Sequence, residues 1–68
     1  MKLIAYQALL ANQQNVALIR SRVREVERAG GQVEFAPPMK VGMVLVILEL
    51  PDNRSPGEFF PGIPFYPM

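Results

Sequence analysis

The chain has 68 residues, a net charge of +1, seven prolines, no cysteine and no histidine. That is one small domain, in the size range where a single core only just suffices. The composition excludes a disulfide framework, an imidazole or thiolate catalyst and the usual transition-metal constellations. The charge is too mild to demand nucleic acid or an anionic membrane.

Residues 2 to 10 read as a first strand, with Leu3, Ala5, Gln7 and Leu9 on one face and Ile4, Tyr6, Ala8 and Leu10 on the other. Both faces are largely apolar. The start, Met1 to Ala11, has the charge, apolar run and terminal alanine of a signal peptide. Gln7 interrupts the run and Leu9 stands where a small residue is expected, so it is read as mature structure. Asn12 is the expected helix cap, with Asn15 the later candidate. Val16, Ile19, Val23 and Val26 then follow helical spacing as one apolar stripe, and Gly30-Gly31 ends the helix. A short strand, Gln32 to Ala36, follows, and Pro37-Pro38-Met39-Lys40 reads as a turn.

The central run is the most informative stretch. Six consecutive hydrophobes, Met43 to Leu48, fill both faces of a strand that Pro51-Asp52-Asn53 stops. A right-handed strand-helix-strand crossover and a short hairpin linker together place this strand between the other two, antiparallel to each. The expected fold is therefore α+β over residues 1 to 50: a β-α-β-β unit, a truncated ferredoxin-like sheet of strand order 1-3-2 with one helix on one face. One helix covers only one face. The other needs the chain's own tail, a second copy or another protein, and the first strand keeps an open edge.

Residues 51 to 68 form a proline- and aromatic-rich extended tail. Pro61, Pro64 and Pro67 recur every third residue, the spacing of a polyproline II ridge. Phe59, Phe60, Ile63, Phe65 and Tyr66 either form a recognition arm for an aromatic-lined groove or lie across the sheet's open face and finish the chain's own core. The second reading is preferred, because groove ligands usually place their prolines among polar residues. A third arrangement has the tail cover a neighbouring copy.

No catalytic set emerges. Ser21 and Ser55 have no recognisable base at motif spacing, the six acids show no paired arrangement, and Gly30-Gly31 lacks the glycine pattern of a phosphate cradle. Arg20, Arg24 and Arg28 stand four apart and would stack as one ridge, suited to an acidic partner or a phosphate backbone. The preferred reading is a solvated face softened by Arg22–Glu25 and Arg24–Glu27 contacts. No aromatic interleaves the ridge, so base stacking is not indicated.

The segment Arg28-Ala29-Gly30-Gly31-Gln32-Val33, with the hydrophobic strand ending Leu50-Pro51, loosely resembles subtilisin propeptides and their small inhibitor relatives over residues 18 to 51. That resemblance implies a ferredoxin-like body whose C-terminal strand enters a protease cleft. The chain departs from the pattern in lacking a second helix and in its proline-rich tail. The helix-Gly-Gly-strand junction is equally similar to small phycobilisome linker domains, and no family is assigned on it.

The sequence thus predicts a non-enzymatic accessory or assembly protein of cytoplasmic address, without cofactor, metal, membrane span or small-molecule substrate. Its partner would be a protein or a second copy. The expected contact residues are Phe59, Phe60, Ile63, Phe65, Tyr66 and Tyr6, with Arg20, Arg24 and Arg28 on the helix. The alternatives are a propeptide-like inhibitor using residues 59 to 68 as a substrate-mimicking strand, and a weak nucleic-acid binder using the Arg ridge.

Overall fold

In a computed structural model of the chain, residues 2–36 and 42–68 are described; the linker 37–40 and Val41 of the central run lie outside them. The elements, in chain order, are β1 (Leu3–Leu10), α1 (Gln13–Ser21), α2 (Val23–Arg28), β2 (Gln32–Ala36), β3 (Val44–Pro51), α3 (Pro56–Phe59) and β4 (Tyr66–Pro67). The fold is α+β. Its sheet is open, antiparallel and four-stranded, in the order β2-β3-β1-β4. This corrects the expected three-stranded 1-3-2 layout with a single helix: a fourth strand is added outside β1, the helix is divided in two, and the tail carries a helical turn of its own.

Local chemistry explains most of these boundaries. The Asn12 side chain accepts a hydrogen bond from the Gln14 N–H at 2.7 Å and so caps α1. The helical ladder breaks at Arg22, whose backbone (φ −113°, ψ 8°) leaves helical geometry. Two contacts accompany the break. The Ser21 hydroxyl donates back to the Leu18 carbonyl at 2.7 Å, a competition that bends helices. The Arg22 guanidinium donates to the Phe59 carbonyl, tying the joint to the tail.

At the far end, Gly30 (φ 92°) takes the left-handed conformation. Gly31 N–H donates to Val26 O and Gly30 N–H to Glu27 O, both at 3.0 Å, which is the bonding of a Schellman cap.

β3 lies between β1 and β2. It pairs with β1 from Leu3↔Pro51 to Leu10↔Val44 and with β2 from Gln32↔Glu49 to Ala36↔Leu45. This register sets the two faces, because directly opposed residues share a side. Ala8, Leu10, Val46, Leu48 and Leu50 face the helices and are buried with Val16, Ile19 and Val26. Val23, the remaining member of the expected stripe, is only half-buried at the helix joint.

The tail does complete the chain's own core, but on the helix side. Phe59, Phe60 and Ile63 join the buried cluster there, with Phe65 packed against it. The expectation that they lie across the other face is corrected. The polyproline ridge is corrected too. Pro61 and Gly62 (φ 88°) occupy the middle of a β-turn closed by Ile63 N–H to Phe60 O at 3.3 Å, and Pro67 sits in β4. β4 pairs with β1 at Tyr6↔Pro67 and Gln7↔Tyr66. Proline is tolerated there because the outer side of an edge strand needs no donor.

The entry to α3 is fastened by Glu58. Its carboxylate accepts from the Ser55 N–H at 2.6 Å and from Arg54 Nε at 3.0 Å. The Ser55 hydrogen bond first, and the Arg54 contact second, hold this carboxyl below the usual carboxylate range. A depressed folded-state pKa contributes stability above the unfolded value of about 4.3 and loses it as pH falls through the folded value. The melting temperature of Glu58→Gln is therefore expected to lie below the parent's at neutral pH, with the gap closing on acidification. A gap that is constant with pH, in thermal melts of both proteins, would remove the carboxylate from this account.

Candidate interaction surface

The second face of the sheet carries no helix among the described residues. Alternation along each strand assigns it Leu3, Ala5, Gln7 and Leu9 from β1, Leu45, Ile47 and Glu49 from β3, Gln32, Glu34 and Ala36 from β2, and Tyr66 from β4. Leu3 is 46% exposed, Leu9 54% and Tyr66 63%. A shallow depression of about 570 Å³ opens there, lined by Gln7, Leu9, Leu45, Pro64 and Tyr66. Its floor comes from paired strands whose side chains the register holds in place. Its rim is the tail, at Pro64 and at Tyr66 of β4. Large apolar side chains grouped in this way, rather than scattered singly, mark contact surfaces.

The expected contact residues divide by location. Phe59, Phe60 and Ile63 are buried in the core, and Phe65 and Tyr6 are half-buried against it, so these five serve the fold. The Phe60 ring stands 6.3 Å from that of Phe59 and 5.7 Å from that of Phe65, centroid to centroid. Tyr66 alone of the group reaches the exposed face. Residues 59 to 68 are folded into the molecule as core and edge strand, rather than presented as the extended strand of an inhibitor.

The arginine ridge is not assembled. The break at Arg22 interrupts the continuous helix that four-residue stacking needs. Arg20 turns over the Phe35 ring of β2 at 4.6 Å, while Arg24 and Arg28 are exposed on α2. The anticipated Arg22–Glu25 and Arg24–Glu27 contacts do not form; among the described residues the ion pair within 4.0 Å is Arg54–Glu58. Arg54 also lies over the Phe59 ring at 5.1 Å, closing the outer side of the tail's aromatic group.

Leu9, Leu45, Ile47 and Pro64 are not among the contact residues that the sequence suggests, although the doubly apolar pattern of the first and third strands contains three of them. Glu34 and Glu49 stand there only among the six acids without a paired arrangement. The register places both on the open face, with Glu49 accepting a hydrogen bond from Gln32 Nε2 at 2.7 Å.

No helix among the described residues is long and apolar enough to cross a membrane. Comparison of the chain with protein-family models, with curated proteins and with solved structures finds no match in any of the three.

Proposed function

We propose that the protein is a non-enzymatic accessory or assembly module that binds another polypeptide through the open face of its sheet. The observation that carries this reading is a packed domain with one face finished by α1, α2 and the tail and the other left apolar at Leu3, Leu9, Leu45 and Tyr66. Neither histidine nor cysteine is present to support acid–base or nucleophilic work. The inhibitor alternative draws less support, since it would require Phe59, Phe60 and Ile63 to leave the core. The nucleic-acid alternative loses Arg20 to Phe35.

The double substitution Leu9→Lys with Tyr66→Ser tests the reading. Both side chains are more than half exposed, so the melting temperature is expected to stay within about 4 °C of the parent's. Retention on a hydrophobic-interaction resin, and any concentration-dependent mass seen by light scattering, are expected to fall. A variant that melts far below the parent would show that this face already belongs to a packed interior. A parent and variant that behave alike on the resin and in scattering would remove the surface from the proposal.

A further inference from the structure

We infer that the occupant of the open face is an amphipathic helix of a partner protein with a cationic flank; this rests on the reading of the face as a protein-binding surface. Two observations define that occupant: the distribution of charge across the sheet, and the state of the sheet's backbone.

The register arranges the face in rows. One row runs Leu9, Leu45, Ala36; the next runs Tyr66, Gln7, Ile47, Glu34; a third runs Ala5, Glu49, Gln32. Beyond the third row Leu3 stands opposite Pro51, so the apolar side chains run along β1 from Leu3 to Leu9 and onto Tyr66 of β4, while Glu34 and Glu49 stand on the neighbouring strands β2 and β3. Among the described residues these rows contain no lysine or arginine. A second copy laid face to face would add two more carboxylates to the interface with no cation in the rows to meet them, which opposes association. A partner with basic residues along one side of an apolar stripe meets the acids and covers the leucines together.

The state of the backbone excludes a lone strand as the occupant and suits a helix. β1 and β3 are paired with each other, and β3 with β2, so the middle of the sheet offers an occupant side chains only. A strand laid on this face would leave its own N–H and C=O groups unpaired, since strand addition needs a sheet edge. A helix arrives with those groups already satisfied and presents apolar residues at i, i+3, i+4 and i+7. The opposite face of the same sheet is covered in this way by α1 and α2.

The experiment uses the full chain, labelled with ¹⁵N, and two synthetic helical peptides of about five turns, ~18 residues each. Both carry the same leucine stripe; one is flanked by lysine and the other by glutamate. The lysine peptide is expected to bind and to shift the amides of Gln7, Leu9, Leu45 and Ile47. The glutamate peptide is expected to bind at least about tenfold more weakly, with the difference shrinking as salt is added. Glu34→Gln combined with Glu49→Gln should weaken the lysine peptide by roughly 2- to 30-fold, the range for two exposed ion pairs, and leave the glutamate peptide no weaker.

Equal binding of the two peptides, binding of neither, or shifts confined to α1 and α2 would overturn the inference. So would a parent dimer that protects the same amides and is dissolved by Leu9→Lys. That last result makes a second copy the occupant and leaves the broader reading of the face intact, whereas a face that fails the resin and scattering test removes both.

Discussion

Phe60→Ala is expected to destabilise the fold by about 3–5 kcal/mol, the range for removing a fully buried aromatic ring. Phe60 is 1% exposed, flanked by the rings of Phe59 and Phe65 and packed against the cluster that α1, α2 and the sheet share. A domain of this size holds only about 3–10 kcal/mol in total at ~0.05–0.15 kcal/mol per residue, so the variant should be largely unfolded or close to it. Urea unfolding of parent and variant gives the measurement, with Tyr66→Ala as the comparison that should change stability by no more than ~0.5 kcal/mol. A loss below about 1 kcal/mol for Phe60→Ala would mean that the tail is an appendage and not part of the interior. The result therefore separates a tail that builds its own molecule from one held in reserve for another.

The second large effect is expected at Gly31. A Cβ at this position would collide with the Glu49 carbonyl oxygen and stand 3.0 Å from side-chain atoms of both Leu50 and Val26. Overpacking ordinarily costs about 1–3 kcal/mol. Here the obstacle is the backbone of β3, which cannot step aside without disturbing its pairing with β1 and β2, so Gly31→Ala should fall at or beyond the upper end of that range. The adjacent glycine matters for a different reason. Gly30 needs its left-handed φ but has room, with Pro51 Cγ at 3.5 Å from an added Cβ, so Gly30→Ala should cost about 1–2 kcal/mol. Chemical denaturation of the two variants should rank Gly31→Ala as the more damaging. The reverse order would refute the close approach of the helix end to the central strand.

The parts of this fold that the sequence announces are those governed by local pattern. A largely apolar run with both faces hydrophobic marks β1, the unbroken hydrophobic run marks β3, Asn12 caps the helix, and Gly30-Gly31 closes it through the bonds that a Schellman end requires. The central position of β3 follows from the strand-helix-strand crossover and the short linker after β2. The break at Arg22 is harder to foresee, because it accompanies a bond to a carbonyl far along the chain, and Val23 fits the apolar stripe well enough to hide it. The tail misleads through composition. Proline at every third position suggests one extended ridge, whereas Pro61-Gly62 makes a turn and Ser55-Pro56-Gly57-Glu58 starts a helical turn. Both are readable as turn and cap signals once spacing alone is set aside. Which face the tail's aromatics would choose was not legible, because alternation says that both sides of a strand are apolar but not which side the next segment reaches. The acids of the open face escape notice for the same reason: only the register brings Glu34 beside Ile47 and Glu49 beside Gln32.

The pairing of β1 has a consequence for how the protein is made. Leu10 finds its partner in Val44, Leu3 in Pro51 and Tyr6 in Pro67, so the strand synthesised early waits for segments synthesised late. Closing such distant loops is slow, and an apolar ribbon that must wait is exposed to wrong neighbours as it leaves the ribosome. Chains cut before residue 44 should accordingly depend on chaperones, and those that include residues 44 to 67 should not.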